Sequence, residues 1–174
     1  MRRRPEGDDA LIAAYEDRSG GVFTHLERIV ITVALDARRL GHAGALPAAL
    51  LSDAAAGMLP DLPLGDDPQW IDAVLHQLCH EPRTHLPDGP GALVEDPAAD
   101  GLPVTGYHPA AVLVGHAART RCYVVPAQPF WDAAARHARS LDDLRRCQGV
   151  GRAPRAAASP TDTAATTAPR WSVR

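Results

Sequence analysis

The chain has 174 residues, of which 32 are Ala and none is Lys or Asn; all 18 basic residues are Arg. Without Lys there is no P-loop of the G-x-x-x-x-G-K-S/T type, no Schiff-base lysine and no kinase strand lysine. A net charge of −3 offers no bulk field for nucleic acid or an anionic membrane, and no apolar run nears the roughly 18 residues that span a bilayer.

The codons of the two missing residues are AT-rich, so a GC-rich genome is expected. Arg2-Arg3-Arg4 runs into Glu6, Asp8 and Asp9 rather than an apolar stretch, so it is not a secretory signal. Cys79, Cys122 and Cys147 are an odd set without framework spacing, as reduced cytoplasmic thiols would be.

Residues 1–8 are expected to be disordered, and a helical domain is expected over 9–147. Asp9 to Asp17 reads as a short helix stopped by Gly20-Gly21. From Val22 to Leu40, apolar residues recur at helical spacing for five turns, and Ile31 and Leu35 make a second side apolar. The β-branched run Ile29 to Val33 would suit a strand, but the period favours a helix, central in its domain, with Gly41 as its stop. Pro47 to Ala56 reads as a third helix ended by Gly57. Asp67-Pro68 is a good cap for a fourth over 68–80, with Trp70, Ile71, Val74, Leu75 and Leu78 on its stripe.

Residues 81–104 are rich in Pro and Gly and read as a long loop. A fifth helix is expected over 107–118, then a short extended run at Cys122 to Val125, then a sixth helix from Pro129 to Arg139. Ser140-x-x-Asp143 resembles a capping box and would open a short last helix ending near Cys147. Residues 148–174 hold no Leu, Ile or Phe and are expected to be disordered. The fold class expected is therefore mainly α: an irregular bundle of about six helices with one Pro/Gly-rich loop and one short extended segment.

His76, Cys79 and His80 form the one cluster of metal-ligand types, with Asp72 on the same helix and His85 in the loop beyond. The metalloprotease H-E-x-x-H pattern is broken by Gln77. A solvated face opposite the apolar stripe accounts for these residues, so no metal and no cofactor are expected. Ser19, Ser52 and Ser140 sit at turns or caps, and no G-x-S-x-G occurs, so no catalytic residue is assigned. Gly20-Gly21 and Gly89-Pro-Gly91 read as turns. Phe130-Trp131 reads as a packing anchor, since no basic groove surrounds it. Arg38 and Arg39 close the second helix, and Arg119 and Arg121 the fifth. They suit the helix dipoles and are the candidates for gripping a phosphate or an acidic partner group.

Four strings carry a family likeness: Ala34-Leu-Asp-Ala-Arg-Arg-Leu-Gly-His42, Leu46-Pro-Ala-Ala-Leu-Leu-Ser-Asp-Ala-Ala-Ala56, Pro68-Gln-Trp-Ile-Asp-Ala-Val-Leu75 and Pro126-Ala-Gln-Pro-Phe-Trp-Asp-Ala-Ala134. In this order they resemble the helical region between the NTPase module and the tetratricopeptide repeats of large actinobacterial signal-transducing proteins. The likeness covers about residues 10–147. It implies a fragment or stand-alone copy, since the family's NTPase would precede residue 1 and its repeats would follow about residue 147. It implies no catalytic residue. The expected function is a non-enzymatic linker or sensor module that binds a protein partner or itself. The alternatives are a stand-alone regulatory protein, or a small metal-binding protein or hydrolase using His76, Cys79 and His80. Cut from its neighbours, the module is expected to expose an apolar patch around its first and second helices.

Overall fold

A computed structural model describes residues 6–19, 21–59, 69–81, 91–96 and 104–137. Six helices and one two-stranded antiparallel sheet make up the described fold, so the chain is mainly helical. Helix α1 spans Glu6–Glu16, α2 His25–Arg39, α3 Ala48–Met58, α4 Trp70–His80, α5 Ala111–Thr120 and α6 Gln128–His137. Strands β1 (Leu93–Asp96) and β2 (Gly106–Pro109) lie between α4 and α5. Helix α1 starts at Glu6, within the stretch expected to be disordered.

The middle of the molecule is α2. Val30, Ile31, Val33, Ala34, Leu35 and Ala37 are all buried, so the helix is covered from more than one direction as its two apolar sides require. It packs on α3, α5 and β2. Its start lies at Thr24 rather than Val22. The Glu27 amide donates to Thr24 Oγ1 at 3.2 Å, and the Thr24 amide donates to Glu27 Oε2 at 2.7 Å, a complete capping box. Its end is a Schellman turn. The His42 amide reaches the Ala37 carbonyl at 3.0 Å, and the Gly41 amide reaches that of Arg38 at 3.1 Å. Gly41 takes φ 100°, which a side chain would oppose.

Helices α3 and α6 make the most extensive contact between elements. Gly57 lies inside α3 rather than stopping it, and a Cβ there would come 2.5 Å from Pro129 Cβ. Its smallness lets the two helices close on each other. Pro47 is the residue just before α3, and α4 starts at Trp70, two residues beyond the expected Pro68, with Gln69 rather than Asp67 at its N-cap position.

The expected loop contains structure. Leu93 pairs with Pro109, Val94 with His108, Glu95 with Tyr107 and Asp96 with Gly106. Leu46 extends the pairing, exchanging two backbone hydrogen bonds of 2.9 Å with Tyr107. Residues 107–109 are thus strand, and the fifth helix begins only at Ala111. The run Cys122 to Val125, expected to be extended, is a turn in which the Val124 amide donates to the Arg121 carbonyl. It forms no strand.

The expected apolar patch around α1 and α2 does not show among the described residues, where no large apolar side chain of these helices is exposed. Leu11, Ala14 and Phe23 are buried with the α2 core. The large apolar residues exposed among the described ones are Val94, Val104 and the consecutive trio Tyr123, Val124 and Val125. No described helix is long and apolar enough to cross a membrane. The helix expected at Ser140, the tail 148–174, His85 and the Gly89-Pro-Gly91 turn, except Gly91, lie outside the described residues.

Candidate functional site

The last turn of α1, the first two turns of α2 and the end of α5 surround a cleft of about 560 Å³. Tyr15 and Glu16 come from α1, and Arg18 from the turn after it. His25, Arg28, Ile29 and Thr32 repeat at helical spacing along one side of α2. His116 and Thr120, four apart, come from α5, with Arg121 and Val124 from the turn beyond.

Several walls are held from behind. Tyr15 Oη and Thr32 Oγ1 share a hydrogen bond of 3.0 Å. His116 Nε2 lies 3.1 Å from Glu16 Oε1, and its ring meets the Tyr15 ring edge-on at 6.5 Å between centroids. Arg28 reaches across from α2 to the carbonyls of Asp17 and Arg18. The Asp17 carboxylate is occupied by Ser19, accepting from its amide and its hydroxyl at 2.9 Å each. These two bonds, led by that of the Ser19 hydroxyl, hold its pKa below the ordinary carboxylate range.

The anchor beneath is Asp36, 1 % exposed. Arg121 donates to it from Nε at 3.1 Å and from Nη2 at 3.0 Å, a bidentate pair. Arg39 Nε donates to the same carboxylate at 2.7 Å, and Arg39 Nη2 donates to the Val124 carbonyl. Burial alone would lower the Arg121 pKa, but hydrogen bonding to Asp36 and its charge leave it raised. One buried carboxylate therefore ties the turn after α5 to α2.

The arginines singled out from sequence do different things. Arg39 and Arg121 both hold Asp36, Arg39 from the interior and Arg121 from the wall of the cleft. Arg38 turns the other way. It donates to the carbonyls of His42 (2.9 Å) and Ala43 and to His108 Nδ1 in the hairpin. Burial lowers its pKa, partly offset by Asp96. Arg119 is exposed at the end of α5.

His76 and His80 are exposed on α4, their rings 5.0 Å apart, and His80 Nε2 lies 3.0 Å from Glu95 Oε1. Cys79 instead packs against the core, where burial, then the Glu95 charge, push its thiol up to about 12. Among the described residues, no group of three or more His, Cys, Asp or Glu is placed to hold a metal.

Sequence reasoning missed Asp36 and the cleft. The signal for Asp36 was present: an acidic residue set among Val33, Ala34, Leu35 and Ala37, with Arg39 one turn on, has to be paired if it is buried. Comparison of the chain with known families, characterised proteins and solved structures finds no match.

Proposed function

We propose that this chain is a non-catalytic helical module of linker or sensor type that works in the cytoplasm by binding a protein. It is of the kind that joins NTPase to repeats in the actinobacterial proteins it resembles. The observation that carries the reading is the turn after α5. Tyr123 is 95 % exposed, and Val124 and Val125 beside it are exposed as well. The turn is held on both sides of Tyr123, by the Arg121–Asp36 pair and by Arg39 at the Val124 carbonyl. A large aromatic presented on a fixed turn loses little freedom on docking, and Tyr is enriched where interfaces draw most of their energy.

Sedimentation velocity of the full chain tests this, alone over a concentration range and mixed with the NTPase–repeat protein of the same genome. The expected result is association in one of the two settings, weakened at least about thirtyfold by Tyr123→Asp, since one anchor of this kind is worth about 2 kcal/mol or more. A monomer in both settings contradicts the reading.

A further inference from the structure

We propose that the cleft between α1, α2 and α5 is a binding site for a small phosphomonoester, a sugar phosphate or a nucleoside monophosphate. Arg18, Arg28 and Arg121 line it against one carboxylate, Glu16. Arg121 is paired with Asp36, so Arg18 and Arg28 are the lining arginines with no carboxylate bonded to them among the described residues, and two such cations suit a phosphate better than a single carboxylate. Of the acidic groups nearest to it, Glu16 is held by His116 and Asp36 by Arg39 and Arg121, while Asp17, hydrogen-bonded to Ser19, keeps its charge.

Donors remain. A guanidinium carries five N–H groups. Arg28 donates to two carbonyls, and Arg121 spends two N–H groups on Asp36, so each keeps N–H groups for a ligand. Both are also fixed by those bonds, which lowers the cost of ordering them around an oxyanion. Arg18 and His25 stand at the rim, exposed, and neither side chain makes a hydrogen bond or ion pair among the described residues. They are the groups with most to gain from an anion.

The rest of the lining suits the organic part. A volume of about 560 Å³ exceeds what an inorganic ion needs and falls within the usual range of small-molecule sites. Thr32, Thr120 and the Tyr15 hydroxyl offer partners for ligand hydroxyls, while the Tyr15 ring, Ile29 and Val124 offer apolar cover. A negatively charged chain has no general attraction for anions, so these local cations are what would draw one.

Calorimetric titration of the full chain with ribose 5-phosphate, adenosine 5′-monophosphate, adenosine and inorganic phosphate tests the proposal at low and physiological salt. A phosphomonoester should bind at least about tenfold tighter than adenosine or inorganic phosphate, and more weakly at higher salt. Tighter binding of ribose 5-phosphate identifies a sugar phosphate; tighter binding of adenosine 5′-monophosphate identifies a nucleotide. Arg18→Ser and His25→Ser should each weaken it about tenfold, the size of one charge-assisted hydrogen bond. Because both side chains are exposed and make no hydrogen bond or ion pair among the described residues, the variants' melting temperatures should match the wild type. Arg119→Ser, outside the cleft, should leave affinity unchanged. No binding overturns the proposal, as does inorganic phosphate binding equally well or affinity indifferent to Arg18 and His25.

Discussion

Arg38 and Arg39 are neighbours at the end of α2, yet they serve two unlike clusters. Arg39 joins Arg121 on Asp36, a carboxylate with 1 % exposure. Arg38 joins a chain at the hairpin in which His108 Nε2 lies 3.3 Å from Asp96 Oδ1 and Thr105 donates to Asp96 Oδ2 at 2.7 Å. The residue types are nearly the same. The difference is water. Asp36 has traded its hydration for fixed guanidinium donors, so its charge cannot be removed cheaply; Asp96 keeps solvent as a substitute.

The largest expected effect follows at Asp36. Asp36→Asn leaves two guanidiniums facing a neutral group in the interior and should cost about 3–5 kcal/mol in urea unfolding. An unchanged midpoint would mean that the carboxylate is not the anchor of that end. Gly41→Ala sets a Cβ on a left-handed residue next to both arginines and should cost about 1 kcal/mol. A stability equal to wild type would show that α2 ends in some other way. The thiols repeat the contrast between inside and outside. Iodoacetamide at pH 8 should label exposed Cys122 much faster than Cys79, whose thiolate is suppressed by burial. Equal rates would place Cys79 at the surface.

The smallest effect is at the hairpin. Asp96→Asn should leave stability near neutral pH almost unchanged. The Thr105 hydrogen bond, then that of His108, holds the folded pKa of Asp96 below its ordinary value. Its contribution is therefore present above the ordinary carboxylate range and is lost as pH falls through the lower folded value. Wild type and variant should converge in acid; a gap that widens there would reverse the sign.

The helices were legible because their signals are local. Five turns of apolar spacing marked α2, and Gly41 marked its end. Its true start was also written, as Thr24-x-x-Glu27, but the apolar Val22 and Phe23 prolonged the stripe past it. The hairpin was not legible. Each strand has four residues, too few to show alternation, and the second is steadied by Leu46 from far away in sequence. Arg121 was legible as a cation at a helix end, but its partner Asp36 lies 85 residues earlier. The cleft draws on three helices and two turns, and no stretch of sequence carries it whole.

That buried pair is held to set the turn bearing Tyr123 and one wall of the cleft. Hydrogen exchange on Arg121→Met tests this most directly, because Arg39 still neutralises Asp36 and the fold is expected to persist. The Val124 amide, bonded to the Arg121 carbonyl at 3.0 Å, should lose its protection, while the Tyr107 amide, bonded to Leu46, keeps its own. Protection at Val124 equal to wild type, or an equal loss at both amides, would contradict the account.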